Sequence, residues 1–136
     1  MAKDLKAFLQ DNKRKKKNIF YAVSKDFVDE NGKPIKWELK HIKARVADEI
    51  RSEAMSEDGE NFDFNLYAAR VMAESVVYPD LRDIELQDSY GVNTPEDLLY
   101  EMVDNPGELS ALQAKVFEMA GLAETAEEKV EQAKNS

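Results

Sequence analysis

The sequence predicts an α+β fold that is mostly helical, in which an N-terminal β-hairpin packs on a bundle of about four to five short helices. Near the N-terminus, apolar residues alternate with polar ones around an Asn-Gly pair, which is typical of two strands joined by a tight turn. After residue 42, apolar residues recur at every third and fourth position instead, as on helices that bury one face. The chain of 136 residues has the length of one domain.

We divide the chain into three parts. Residues 1–17 are predicted to form a short N-terminal helix and a basic lead-in, and residues 18–122 a single globular α+β domain. Residues 123–136 favour helix, but Val130 is their only large apolar residue. A helix without an apolar face to bury cannot offset the entropy of ordering, so we expect a disordered or frayed helical tail.

The first predicted element is a helix over residues 4–10. Asp4 can cap its start, and Leu5, Phe8 and Leu9 fall on one side of a helix. The five consecutive bases Lys13–Lys17 then break the pattern.

The predicted hairpin spans residues 18–42. Its first arm is rich in aromatic and β-branched side chains. Asn-Gly at residues 31–32 suits a primed turn, which needs two positive φ angles. In the second arm, Ile35, Trp37 and Leu39 alternate with charged residues and should share one buried face.

The predicted helices span residues 43–55, 62–78, 81–90, 94–102 and 106–121. A proline follows the second of these helices and a glycine the third, as expected at helix ends. The fourth begins with Thr-Pro, which is typical of an N-cap and the first helical residue. Aromatic and methionine side chains on these helices suit either the core or a binding groove, and the pattern does not separate the two. They are Phe62, Phe64, Tyr67, Met72, Tyr78, Tyr100, Met102, Phe117 and Met119.

Charge is divided unevenly along the chain. The protein has 19 Lys and Arg against 28 Asp and Glu, a net charge of −9. Residues 1–45 hold thirteen bases and six acids, a net of +7, whereas residues 46–136 hold six and twenty-two, a net of −16. The run Lys13–Lys17 supports an alternative function, a nucleic-acid-associated regulatory protein, although the acidic remainder opposes binding to phosphates. The other interpretation is a solvated lead-in to the first strand.

Residue types that carry chemistry are sparse. The absence of cysteine excludes disulfides, thiolate nucleophiles and iron–sulfur ligation. The single histidine, His41, is expected to be a partly buried structural residue, since no second histidine accompanies it. Acid pairs such as Asp83 with Glu85, or Asp97 with Glu101, keep a hydrolase as a competing hypothesis. We predict no catalytic residue, no cofactor and no metal site, and therefore no enzyme.

Neither a targeting segment nor a membrane span is predicted. Charged residues occupy the start, where a signal peptide would be apolar. Apolar runs are only a few residues long, whereas a spanning helix needs about 20. We expect the protein to stay in the compartment where it is made.

Two segments resemble the XkdN-like phage tail assembly chaperones: YAVSKDFVDENGKPIKWE at residues 21–38 and SVVYPDLRDIELQDSYGV at residues 75–92. The similarity extends over residues 8–122, and the block ELQDSYG at residues 85–91 is its most specific part. The order continues with Leu98-Leu99, Pro106-Gly107-Glu108-Leu109 and Gly121-Leu122.

The resemblance implies a product of a tailed phage or prophage of a Gram-positive host. It implies a chaperone that binds the tape measure protein and keeps it soluble before the tail tube polymerises. Such a protein would use no cofactor, would act in the cytoplasm of the bacterial host and would be absent from the mature virion. Its implied partner is the tape measure protein, with self-association left open, and not a specific nucleic acid, a membrane or a small-molecule substrate.

For partner binding we single out the apolar stripe of the last helix, which consists of Leu109, Leu112, Val116 and Met119. These residues recur at helical spacing and could meet an apolar stripe on another helix. The alternative is that the stripe packs on the domain's own hairpin.

Overall fold

The computed structural model describes residues 4–122, which form one small antiparallel sheet and five α-helices. The strands are β1 (Ile19–Tyr21), β2 (Trp37–Leu39) and β3 (Val76–Tyr78), in the order β1-β2-β3. The helices are α1 (Ala44–Glu53), α2 (Phe64–Ser75), α3 (Ile84–Ser89), α4 (Pro95–Met102) and α5 (Pro106–Met119). This arrangement confirms the α+β, mostly helical fold with an N-terminal hairpin. The predicted tail, residues 123–136, lies outside the described residues.

The hairpin pairs β1 with β2, with Ile19 opposite Leu39 and Tyr21 opposite Trp37. Its turn differs from the primed turn that Asn-Gly predicts, because Gly32 has a φ of 79° and Asn31 is not in the positive-φ region. The Gly32 N–H donates to the Asp29 carbonyl oxygen at 3.0 Å, as in a type I turn followed by a left-handed glycine. The Asp29 carboxylate accepts the N–H of Asn31 at 2.8 Å, which stabilises this geometry.

A third strand corrects the predicted helix over residues 62–78. Helix α2 ends at Ser75, and Val76–Tyr78 continues as β3, with Leu39 opposite Val76 and Glu38 opposite Tyr78. Two physical reasons explain the change: Val-Val-Tyr favours strand over helix, and the residue before a proline disfavours α geometry. The free edge of β2 supplies backbone hydrogen-bond partners for these three residues, and the helical spacing of apolar residues does not reveal this.

The N-terminal segment also differs from the prediction. Instead of an α-helix, residues 4–12 form two 3₁₀ turns, Lys6–Phe8 and Gln10–Asn12, without a buried residue. Leu5, Phe8 and Leu9 are 67%, 83% and 56% exposed. An apolar face without a surface to cover gains nothing from α-helix formation, which explains the outcome.

Side-chain caps begin the four later helices, and the predicted cap at Thr94 is confirmed. The side chains of Asp63, Asp83, Thr94 and Asn105 accept a backbone N–H from the first turns of α2, α3, α4 and α5, at 2.9–3.1 Å. Gly91 follows α3 with a φ of 70°, the left-handed geometry expected of its position.

The core lies between the sheet and the helices. Trp37 and Leu39 of β2 are buried, and α2 packs against α1, α4 and α5. The largest fully buried apolar side chains are Trp37, Leu39, Met72, Leu81, Leu98, Leu99, Leu112, Val71, Val103 and Val116. Among residues 4–122, no helix has the length and apolar run that a membrane crossing requires.

Candidate partner-binding surface

Four aromatic side chains, Phe62, Phe64, Tyr67 and Phe117, meet between α2 and α5 and form what we call the aromatic cluster. The ring centroids of Phe62 and Tyr67 are 5.5 Å apart, and those of Phe64 and Phe117 are 6.1 Å apart with their planes nearly perpendicular. Tyr67 is only 9% exposed, whereas Phe62 and Phe64 are 41% and 48% exposed. The cluster therefore joins α5 to α2 and leaves much of two phenyl rings in solvent.

A short loop rich in carboxylates adjoins the aromatic cluster. This acidic loop comprises residues 56–61, and the residues on either side of it, Met55 and Phe62, pair in an isolated antiparallel bridge. The Ser56 N–H donates to the Asn61 carbonyl oxygen at 2.8 Å, which closes the loop. Since Phe62 belongs to the cluster and to the bridge, the loop is held beside the exposed rings.

Hydrogen bonds keep the central carboxylate of the acidic loop charged. The Ser56 hydroxyl donates to Asp58, and the Glu60 N–H donates to the same carboxylate at 2.9 Å. These bonds, the hydroxyl first, lower the pKa of Asp58 below its ordinary value. Glu57 and Glu60 extend into solvent on either side of it.

The surroundings of the aromatic cluster are negative. Residues 53–69 include five Asp or Glu and no Lys, Arg or His. The first base after them, Arg70, pairs with Glu53 and lies 4.0 Å from Glu96. The result is an exposed aromatic surface with an acidic rim, suited to an apolar segment that carries bases.

The α5 residues singled out from the sequence divide into two kinds. Leu112 and Val116 are fully buried in the core. Leu109 and Met119 are half-buried and pack against the same core. A partner could therefore reach only Leu109 and Met119 without opening the domain, and the role of the stripe in binding stays a prediction.

A second exposed row crosses the outer face of the sheet. Phe20 lies opposite Glu38, and Glu38 opposite Tyr78, so the three side chains share one face. Both aromatic side chains are well exposed, and the Asn18 side-chain amide donates to the Glu38 carboxylate at 2.8 Å. The carboxylate in the middle makes this row less continuous than the aromatic cluster.

The carboxylate of Glu108, at the start of α5, is hydrogen-bonded to the segment that follows β1. The Lys25 N–H and the Ser24 hydroxyl each donate to one of its oxygens at 2.8 Å. These bonds, the Lys25 N–H first, lower the pKa of Glu108. An open groove of about 470 Å³ lies beside them, with Tyr21 and Pro34 on its wall. Both oxygens of the one acid in this groove are occupied, which fits a structural role better than catalysis.

The residues considered as catalytic or nucleic-acid-binding candidates either lie apart from one another or make structural hydrogen bonds. His41 is half-buried, as predicted, with its Nδ1 atom 3.3 Å from the Met119 carbonyl oxygen. Asp83 accepts the N–H of Leu86 as the cap of α3. Within residues 4–122, no three His, Asp or Glu side chains lie close enough to hold a metal ion. The bases Lys13–Lys17 are exposed in the extended segment before β1.

Sequence reasoning did not single out the aromatic cluster, since its members suit a core equally well. One signal was present: Phe62 and Phe64 flank the cap residue of α2 and so lie at the very start of the helix. The cap residue Asp63 between them and the acidic loop before them mark this end of α2 as a surface.

Comparisons with known proteins find related sequences over nearly the whole chain. The sequence profile of the phage XkdN-like tail assembly chaperone protein family (TAC) matches residues 5–134. The chain is 28% identical to the phage-like element PBSX protein XkdN of Bacillus subtilis (strain 168), with 97% of this chain and 94% of that protein aligned. It is 25% identical to the uncharacterized protein YqbN of the same strain, with 97% and 93% aligned.

A solved structure confirms the fold at the level of the whole chain. The crystal structure of the protein YqbN superposes with a TM-score of 0.80 at 26% identity, over 89% of this chain and 98% of that chain. Since the family profile covers nearly the whole sequence, the chain belongs to the phage XkdN-like tail assembly chaperone family.

Proposed function

We propose that the protein is a tail assembly chaperone whose client is the tape measure protein of its phage or prophage. It would bind that protein and keep it soluble until the tail tube polymerises around it. Family membership supports the chaperone role, and the exposed aromatic cluster with its acidic rim supports binding to another polypeptide.

The physical argument concerns the apolar surface of the client. A tape measure is a long helix with apolar stripes, and before the tube encloses it these stripes would drive aggregation. A small domain that covers a stripe with aromatic side chains removes that surface from water. Its net charge of −9 would also keep coated complexes apart.

We place the client contact on the aromatic cluster and on the accessible parts of α5. Phe62 and Phe64 offer exposed rings, while Leu109 and Met119 are the members of the predicted stripe with accessible surface. We expect such a contact to be modest in area, because release is easier when many modest contacts replace one tight contact.

The proposed role is binding without catalysis and without a cofactor. We place it in the cytoplasm of the bacterial host, where tails assemble, and we expect the protein to be absent from the finished virion because the tube replaces it on the tape measure.

Co-expression tests the proposal. The tape measure protein encoded beside this chain is produced alone, with this protein and with its Phe64→Ser variant. We expect it to be insoluble alone, soluble and co-purified with the native chaperone, and at least partly insoluble with Phe64→Ser. An Ile84→Ser variant is the control, since Ile84 is an exposed apolar residue on α3 outside the aromatic cluster. A tape measure that stays insoluble with the native chaperone contradicts the proposal.

A further inference from the structure

The N-terminal residues form an arm that carries unused apolar surface. We call residues 4–17 the N-terminal arm. Leu5, Phe8 and Leu9 recur there at helical spacing, and all three are exposed. Its hydrogen bonds within residues 4–122 are local, such as that from the Asn12 side-chain amide to the Lys6 carbonyl oxygen. An apolar segment of this kind gains stability when it finds a surface to cover.

The arm and the aromatic cluster are complementary in chemistry. The arm carries three exposed apolar side chains, six basic residues and two acidic residues, which gives it a net charge of +4. The exposed rings of Phe62 and Phe64 lie beside the acidic loop, within residues 53–69, which carry five acids and no base. Apolar surface would meet apolar surface, and Lys13–Lys17 would meet the carboxylates of the acidic loop.

We propose that the protein self-associates by exchange of arms, with the N-terminal arm of one copy docked on the aromatic cluster and acidic loop of a second copy. Because each copy carries one arm and one cluster, two reciprocal contacts close a two-fold dimer. The arm would take up a helix on docking, with Leu5, Phe8 and Leu9 against the rings of Phe62 and Phe64. This inference does not depend on the identity of the client.

The association should respond to concentration and salt in a defined way. In sedimentation velocity on the full chain, the mass should shift from one copy to two as concentration rises. Phe8→Ser and Phe64→Ser should each weaken the dimer at least tenfold, since each removes an aromatic side chain from one half of the contact. Phe20→Ser is the matched control, because Phe20 is an exposed phenylalanine outside both halves. Raising salt should weaken the dimer through screening of the charged rim.

A charge-swap pair makes the test specific for the arm. One variant carries Lys15→Glu, Lys16→Glu and Lys17→Glu, and the other carries Glu57→Lys and Glu60→Lys. Asp58 is left unchanged because it organises the acidic loop. Each variant alone brings like charges together and should be a monomer. Their equimolar mixture restores both complementary contacts and should give a heterodimer.

Circular dichroism verifies that the variants remain folded before their masses are compared. A native protein that stays a monomer at every concentration overturns the proposal, as does a dimer that Phe8→Ser leaves unchanged. A monomer in which Phe8→Ser exposes the aromatic cluster to hydrogen exchange would show that each arm docks on its own copy, which also overturns it. All of these measurements are made without the tape measure protein, so their failure is distinct from failure of the proposed function.

Discussion

Leu39→Ala is the substitution whose cost the structure specifies best. Leu39 is fully buried in β2, the central strand, with Ile19 and Val76 opposite it on the two neighbouring strands. The change deletes three carbon groups, which is about 2.5 kcal/mol of lost burial at roughly 0.8 kcal/mol for each group. Because β2 is hydrogen-bonded to a strand on each side, its backbone cannot move to fill the cavity. We therefore expect a total loss of about 3–5 kcal/mol in unfolding free energy.

Urea unfolding followed by tryptophan fluorescence measures this loss, because Trp37 is the single tryptophan and is buried two residues away. The midpoint should fall while the slope of free energy against urea stays unchanged. Ile84→Ala is the control: it also removes three carbon groups, but at an exposed position of α3 outside the N-terminal arm and the aromatic cluster, and should cost less than about 0.5 kcal/mol. A Leu39→Ala loss below about 1 kcal/mol, or equal losses for the two variants, would refute the packing argument.

Three further predictions concern polar groups and charge. Ser75→Ala should cost about 1–2 kcal/mol in urea unfolding, because the buried hydroxyl donates to the Lys40 carbonyl oxygen at 2.8 Å; the same change at exposed Ser52 should cost almost nothing. Glu108 has a pKa below its ordinary value of 4.5, so its stabilising effect is complete above that value and is lost as the pH falls through the lowered pKa. Glu108→Gln should therefore lower the melting temperature at pH 7 and flatten its decline in acid, whereas an unaltered acid profile would contradict the assignment. Gel shifts at low salt should show no retention of DNA or RNA, and salt-sensitive retention that depends on Lys13–Lys17 would favour the nucleic-acid alternative.

Features of the fold that depend only on residues close together in the sequence could be predicted. The cap at Thr94 and the left-handed glycine at Gly91 both arise from short-range chemistry. The third strand could not be predicted, because Val76–Tyr78 continues the helical periodicity of α2. Local propensity and the following proline favour an extended conformation here, but the hydrogen-bonded partner that makes it a strand is the edge of β2, which lies far away in sequence.

Which of the candidate residues are exposed could not be predicted, for a related reason. Burial of Leu112 and Val116 depends on how α5 seats against α2, which helical spacing alone does not determine. The exposure of Phe64 follows from the position where α2 begins, set by the cap at Asp63. The sequence therefore indicates which residues are apolar, but the packing decides which of them remain in water.

The link from Ser24 and Lys25 to Glu108 joins two parts of the chain that are translated far apart in time. On the ribosome, the hairpin emerges early, but the helix that supplies Glu108, Leu112 and Val116 emerges last among the described elements. A nascent chain cannot complete its interior until that helix is free of the exit tunnel. Ribosome-bound fragments that stop before residue 106 should accordingly stay sensitive to protease, and the complete polypeptide should become resistant in a single late step.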